Sequence, residues 1–396
     1  MISELDDNDL LAALATLNSE AVAAADRLTA SNSIRKTLED VLSAGAAQLL
    51  EMTDGAPADV FGFAADDGSV SAILRALQPT VALDAAGALP LSAHGSTAAG
   101  VLAAAEAVVS AAAPGAIVLA DDFGDDLDAA SAEYLACLLR RNSGQVWLST
   151  RRPDVVRAFP AEEMIRLTRS HGHRQAHQLA PTTDRKERAA RRHLHPLLLP
   201  AMTARTVALL EGPHDLDGYT AVADRRLRSG GVAPPAAAGV RMVAPANGTG
   251  GKDELPKLAR LARALGFHVR VVLDNDKPGT DADLVSELTG IAEQVIRLPE
   301  RSSIERALTH GISPVRLRTT LRQLVADHGL TDIAVDTIAE ESLKEKTIKA
   351  LKQKGGLHQP FVEALSHGPT PPLAGTVLDT LCQPVADTVL VEIELP

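Results

Sequence analysis

"VRVVLDNDKPGTD", residues 269–281, runs an almost unbroken set of apolar and β-branched positions into Asp274, Asn275 and Asp276, and then into a Pro278-Gly279 turn. Short apolar runs bounded by turn residues read as buried strands of a parallel sheet. Two carboxylates one residue apart at the end of such a strand repel, and each has its pKa pushed upward unless a positive charge sits between them. A divalent cation supplies that charge. The alternative is a solvated turn, since Asp, Asn, Pro and Gly are common turn residues. The surrounding chain decides between them.

The same alternation extends on both sides. "RTVALLEG" (205–212) reads as a strand, Asp215–Arg228 as a helix and "GVRMVAPA" (239–246) as a strand. Asp253–Leu265 follows as a helix, "FHVRVVLDND" (267–276) as a strand, Asp281–Gly290 as a helix and "QVIRLP" (294–299) as a strand. Four parallel strands with three crossover helices predict a small Rossmann-like α/β domain, whose ligands gather beyond the carboxyl ends of the strands. The first of these strands ends in Glu211-Gly212, followed by Pro213, His214 and Asp215. If it neighbours the third strand, Glu211, Asp274 and Asp276 converge at one edge, with Asp215 one helical turn away. Such a set of hard oxygen donors suits Mg²⁺ or Mn²⁺ and not zinc or copper.

This arrangement resembles the Toprim domain shared by topoisomerases, primases and the overcoming-lysogenization-defect (OLD) nucleases. The resemblance rests on Glu211 of "LLEG" and on Asp274 and Asp276 of "VVLDND". A topoisomerase needs a tyrosine nucleophile from another domain, and the only tyrosines are Tyr134 and Tyr219, both in predicted helices. A primase of this kind is expected to carry a zinc module, which two distant cysteines cannot build. Three further features resemble the OLD nucleases. These are "GGKDELPKLARLARALG" between the second and third strands, Glu305 in "LPERSSIERAL" placed as an additional acidic ligand, and a lysine ahead of "HQPFVEAL". Lys354 is the first choice for that lysine and Lys352 the second. Its expected role is to stabilise charge on a pentavalent phosphoryl transition state. The resemblance implies a divalent-metal-dependent DNA endonuclease or nickase, with Glu211, Asp215, Asp274, Asp276 and Glu305 holding metal. The competing expectation is a non-catalytic DNA-binding or regulatory subunit.

Residues 116–128, "AIVLADDFGDDLD", resemble the Walker B and D-loop segment of ATP-binding-cassette ATPases, as expected upstream of an OLD-type Toprim domain. The resemblance implies that Asp121 holds a nucleotide's Mg²⁺, that Asp122 takes the position of the catalytic glutamate and that Asp128 is the D-loop aspartate. "LSAHGSTAAG" (91–100) is similar to the signature motif, with Ser92, Gly95 and Ser96 as γ-phosphate donors. Strands are predicted at Ala116–Ala120 and Gln145–Ser149. Residues 1–55 read as helix from Leu10, Leu11, Leu14 and Leu17, then Val41, Leu42, Leu49 and Leu50. Two departures stand out. No G-x-x-x-x-G-K-[ST] occurs, since "NGTGGKDEL" lacks the spacing, and Arg151 stands where the family often has a switch histidine. ATP as cofactor is therefore uncertain. Either a separate polypeptide supplies the missing lobe, or a partial ATPase-like domain over 1–180 serves as a dimerisation and DNA-positioning scaffold. The Toprim domain is expected over 181–396, with a helical extension from about residue 301.

The 396 residues carry a net charge of -12, which argues against coating nucleic acid through bulk electrostatics. Cations are nevertheless concentrated from Arg151 to Arg192, interleaved with histidines. Arg185, Arg188, Arg191 and Arg192 are the expected DNA contacts, on a helix whose basic face is otherwise an ordinary solvated one. A homodimer is expected, to present two sites to one duplex. Cys137 and Cys382 are expected to fill apolar helix faces. The acidic start lacks the pattern of a signal peptide. Ala98–Ala120 is broken by Glu106 and Pro114-Gly115 and reads as helix then strand, not as a bilayer span. A cytoplasmic protein without membrane contact is the expectation.

Overall fold

The computed structural model describes residues 7–33, 36, 61–65, 77–82, 87–90, 93–95, 98, 100–101, 105, 107, 116–170, 173–245, 251–330, 333–353, 356–365, 368–385 and 388–395. The chain divides into two compact units, Met1–Phe159 and Pro160–Pro396.

The first unit opens with α1 (Asp7–Thr29) and an antiparallel sheet in the order β1 (Phe61–Ala65), β2 (Leu77–Val81), β3 (Leu89–Pro90). The second helical stretch expected around Val41–Leu50 lies outside the described residues. Two expected strands are present as β4 (Ile117–Ala120) and β5 (Gln145–Leu148), which pair in parallel across α2 (Ala129–Asn142); α3 (Pro153–Arg157) follows. Asp128 caps α2, accepting from the Ser131 amide at 3.0 Å and from its hydroxyl at 2.6 Å, which satisfies donors that a helix start leaves free. Ala132, Leu135, Ala136 and Leu139 form the buried stripe of α2 at helical spacing. Cys137 stands one position off that stripe and is exposed, so it does not fill an apolar face as expected.

The second unit begins with an antiparallel hairpin, β6 (Ile165–Ser170) and β7 (His173–Gln178), then α4 (Arg185–Leu198). Sequence patterning placed the joint between domains near Ala180–Asp184, whereas the division falls about twenty residues earlier. Arg166 shows why the hairpin belongs to the second unit. Its guanidinium donates to the carbonyls of Met202 (3.0 Å), Ala204 (2.6 Å) and Leu265 (2.9 Å), and stacks 3.7 Å over the Phe267 ring. Burial brings its pKa down to about 10.

A parallel sheet follows, from β8 (Thr206–Leu209), α5 (Pro213–Gly230), β9 (Val240–Val243), α6 (Leu255–Ala264), β10 (His268–Leu273), α7 (Ala282–Thr289) and β11 (Gln294–Arg297). The C-terminal helices are α8 (Ile304–Thr309), α9 (Pro314–His328), α10 (Glu340–Gln353), α11 (His358–Ala364) and α12 (Pro372–Cys382). A last strand, β12 (Leu390–Glu392), pairs in parallel with β11, Val391 opposite Ile296. The sheet therefore has five strands in the order β12-β11-β10-β8-β9, not the four expected. The chain as a whole is mixed α/β, as its alternating pattern predicted.

Strand alternation sends side chains to two cores. Val207, Leu209, Val269, Val271 and Val295 pack under α4, α6 and α7. Ala208, Val272 and Ile296 pack with α5 and the C-terminal helices. One charge enters the second core: Arg270, 7% exposed, donates to Leu381 O at 2.6 Å and Thr380 O at 3.3 Å. A cation on the last carbonyls of α12 is favoured by the helix dipole, and it ties the C-terminal helices to the central strand. Among the described residues, no helix is long and apolar enough to cross a membrane.

Candidate metal centre

From β8 the chain passes through α5 to the edge strand β9, then returns through α6 to β10 on the other side of β8. The strand order reverses between β8 and β10, and a crevice opens outside the carboxyl ends at such a switch point. Glu211 lies just beyond β8, and Asp274 directly follows β10. The pairing Leu209 with Val271 brings the two strand ends level, and the Asp274 amide donates to Glu211 Oε1 at 2.9 Å. Extended Gly212 and Pro213 at the first helical position start α5 at once, which puts Asp215 in its first turn, 9% exposed. Asn275 fixes the loop after β10: its amide donates to Ser302 O at 2.8 Å and its side chain to Leu298 O at 3.2 Å.

The carboxyls act strongly on one another. Burial raises Asp215 to about 8, with Glu211 and Glu305 adding to it. Burial also lifts Asp274 well above the ordinary range, with Asp215, Glu211 and Glu305 contributing. Glu211 is raised mainly by burial, against the opposing pull of the Asp274 amide and Lys252. Asp276 is exposed on the loop and acts on Glu211 through space. Glu305 differs. Burial would raise it, but hydrogen bonds from His358 and Ser303 and the Lys352 ammonium outweigh that and bring it down to about 2. The distances are 3.3 Å from His358 Nε2, 2.5 Å from the Ser303 hydroxyl and 3.6 Å from Lys352 Nζ. Glu305 is thus held as an anion, while its neighbours cannot all ionise at neutral pH without a cation.

The sequence-predicted acids Glu211, Asp215, Asp274 and Glu305 are therefore brought together, with Asp276 at the rim. Their chemistry, all carboxylate oxygen, fits a hard divalent ion. Their orientation is not that of a ready cage. Among the described residues no group of three or more His, Cys, Asp or Glu side chains is disposed to hold a metal ion, and Glu211 and Glu305 accept from protein donors.

Several residues beside the cluster were not picked out as site residues from sequence. Tyr219, four positions after Asp215 and so on the same face of α5, is fully buried with its hydroxyl unpartnered among the described residues. Asp274, Asp215 and Glu211 raise its pKa further after burial itself. His358 is fully buried and stacks on His214, with ring centroids 4.7 Å apart. Lys252 pairs with Asp281 at 2.7 Å and acts on Glu211. The i,i+4 spacing and the His-Asp adjacency were available signals for Tyr219 and His214; His358 and Lys252 lie in the quoted segments "HQPFVEAL" and "GGKDELPKLARLARALG", but only tertiary packing pairs them with the acids.

Lys352 is on α10 beside Glu305, while Lys354 lies outside the described residues, as do Ser92 and Ser96. In the first unit, Asp121 accepts from the Ser149 hydroxyl, and Asp122, at φ 48°, lies 3.9 Å from Arg151. Asp128 is engaged as the α2 cap. Among the described residues nothing lies within 4 Å of where a side chain on Gly95 would begin. On α4, Arg185, Arg188 and Arg192 are exposed. Arg191 is not a free contact: it pairs with Glu187 at 2.5 Å and Glu162 at 3.2 Å and donates to Ala180 O at 2.7 Å. Compared with known proteins, the chain matches no family model and no curated protein sequence.

Proposed function

We propose that the chain is a divalent-metal-dependent DNA endonuclease or nickase of OLD type, with a Toprim-like site in its second unit. The observation that carries this reading is the Glu211–Asp274 contact across the switch point, with Asp215 raised to about 8 beside it. Glu211, Asp215 and Asp274 would hold Mg²⁺ or Mn²⁺, with Glu305 and Asp276 completing the anionic rim. A hard divalent ion bound there supplies positive charge that activates water and offsets charge on the phosphoryl group. The protein's own part is electrostatic and positional. Ser303, His358 and Lys352 keep Glu305 ionised and oriented, and Lys352, which acts on Glu305, and Lys252, which acts on Glu211, are suited to phosphate oxygens. Arg185, Arg188 and Arg192 are suited to the DNA backbone. The first unit, without a P-loop, would serve as a scaffold for a homodimer or accept an ATPase lobe from another polypeptide.

One observation favours a second reading, a non-catalytic DNA-binding or regulatory subunit: among the described residues no group of three or more His, Cys, Asp or Glu side chains is disposed to hold a metal ion. Supercoiled plasmid incubated with the purified chain and Mg²⁺ or Mn²⁺, with and without ATP, decides between the two. Metal-dependent nicking that disappears in Asp274→Asn is the expected result. No nicking under any of these conditions would leave the non-catalytic reading.

A further inference from the structure

We propose that the hairpin β6–β7 is a docking ribbon for double-stranded nucleic acid, at the end of the second unit opposite the acid cluster. The inference rests on the reading that nucleic acid is this protein's partner, and is independent of hydrolysis.

Directly opposed residues in an antiparallel pair share a face, so the register assigns each side chain. The inner face carries Arg166, Thr168 and His177. Arg166 holds the carbonyls described above, Thr168 Oγ1 and His177 Nε2 are 2.8 Å apart, and the His177 ring lies so close to Gly266 that a Cβ there would approach it to 2.3 Å. The outer face carries the cross-strand pairs Ile165 with Gln178, Leu167 with Ala176 and Arg169 with Arg174. All six are exposed, Leu167 by 76%.

Two arginines directly opposite each other oppose ribbon formation, and neither is in an ion pair among the described residues. An external polyanion removes that repulsion. The surroundings point the same way: residues 165–192 contain seven arginines and a lysine against Asp184 and Glu187, in a chain of net charge -12. Of these, Arg185, Lys186, Arg188 and Arg192 on α4 are exposed. The shape selects the class of polyanion. A ribbon with six residues per strand is about 20 Å long, and a two-stranded ribbon is one of the elements that the major groove of DNA admits. Guanidinium forks suit phosphate and guanine edges, and an exposed Leu167 suits the apolar contacts a base edge offers. An acidic polypeptide would answer the two arginines but leaves the ribbon's groove-sized shape without a use.

The carbonyls gripping the ribbon belong to Met202 and Ala204, just before β8, and to Leu265, just before β10. The acids lie past the other ends of those strands. A strand of six residues separates the two by about 20 Å, so the ribbon anchors nucleic acid at a distance and does not touch the reacting phosphate.

The test uses the full chain in EDTA, a fluorescent DNA duplex and anisotropy across a salt series. Arg169→Glu with Arg174→Glu should weaken binding by about tenfold or more near physiological salt and reduce the log–log salt slope by about two. Arg174→Glu alone guards against misfolding. It replaces a like-charge pair by an opposite one, so it should melt no lower than wild type while still binding more weakly. Unchanged affinity and slope in both variants would overturn the ribbon. So would polyglutamate displacing the duplex at equal charge concentration, which would make the partner an acidic protein. A chain that binds duplex through the ribbon but never nicks plasmid overturns the hydrolytic reading alone. Nicking that persists in the double variant at unchanged affinity overturns the ribbon alone.

Discussion

Replacing Asp215 by Asn should stabilise the metal-free protein at alkaline pH and remove its response to divalent metal. Asp215 is 9% exposed and its carboxyl titrates at about 8, burial being the main cause, with Glu211 and Glu305 adding to it. In the unfolded chain an aspartate titrates at about 3.9. The folded state therefore holds a proton that the unfolded state releases between those values. Stability is greatest below the unfolded pKa and falls as pH rises through the folded one. At about 1.4 kcal/mol per pH unit the full interval corresponds to on the order of 5 kcal/mol. The proton is shared with Glu211 and Asp274, so the part that a single substitution recovers is about 2–5 kcal/mol. Asparagine keeps the shape and stays neutral. In EDTA at about pH 9 the variant should exceed wild type by that amount, and the gap should close towards pH 4. Adding Mg²⁺ should stabilise wild type and leave the variant nearly unchanged. Fluorescence of Trp147, the single tryptophan, reports the first unit only. Hydrogen exchange of the β8 and β10 amides against urea is the suitable assay. A wild type as stable as Asp215→Asn in EDTA at alkaline pH would refute the reasoning.

Glu211→Ala and Asp274→Ala should each abolish metal-dependent plasmid nicking while circular dichroism stays native; unchanged cleavage by both variants would remove the site. At about pH 4, where the raised carboxyls are protonated in wild type and variant alike, Glu211→Ala should in addition lose about 1 kcal/mol with the Asp274 amide contact, read as a lower denaturation midpoint. The isolated chain should show no ATP turnover above background, and Asp122→Asn should not alter DNA cleavage; robust turnover would mean that the first unit binds nucleotide without a P-loop. Arg188→Glu with Arg192→Glu should weaken DNA binding and lower the salt slope by about two, and an unchanged slope would take α4 out of the DNA path.

Much of the central sheet was legible because its strands are buried on both faces. "TVALL" and "VRVVL" are apolar runs, interrupted only by Arg270 and closed by acids, and Pro, Gly and charged residues punctuate the helices between them. The strand β12 was not legible: "LVE" is three residues long, half-exposed and set among helices, too short for any period to show. The β6–β7 hairpin was hidden for a different reason. Its inner face is held by Arg166 and His177 and not by apolar residues, and β7 has Ala176 as its one apolar side chain. A buried arginine that satisfies three carbonyls has the sequence signature of a surface residue. At the site, Glu211, Asp274 and Asp276 were readable from strand ends and Asp215 from the turn that follows, whereas Glu305 was implied only by the resemblance. The companions that set their charge, His358 on a C-terminal helix and Lys252 between the second and third strands of the sheet, are paired with the acids by tertiary packing. Arg191 looked like its neighbours Arg188 and Arg192 until its pairing with Glu162 and Glu187 removed it from the free cations.

The central claim is that the buried carboxyls at the switch point hold a divalent ion, and titration calorimetry of Mn²⁺ into the metal-free chain tests it most directly. Repeating the titration in two buffers of different ionisation enthalpy counts the protons released. At neutral pH, Asp215 and its raised neighbours must give up protons to accept the ion, so binding should release about one proton or more per ion and strengthen as pH rises. Asp274→Asn should abolish it. Mn²⁺ binding with no proton release, or binding that survives intact in Asp274→Asn, would contradict the account.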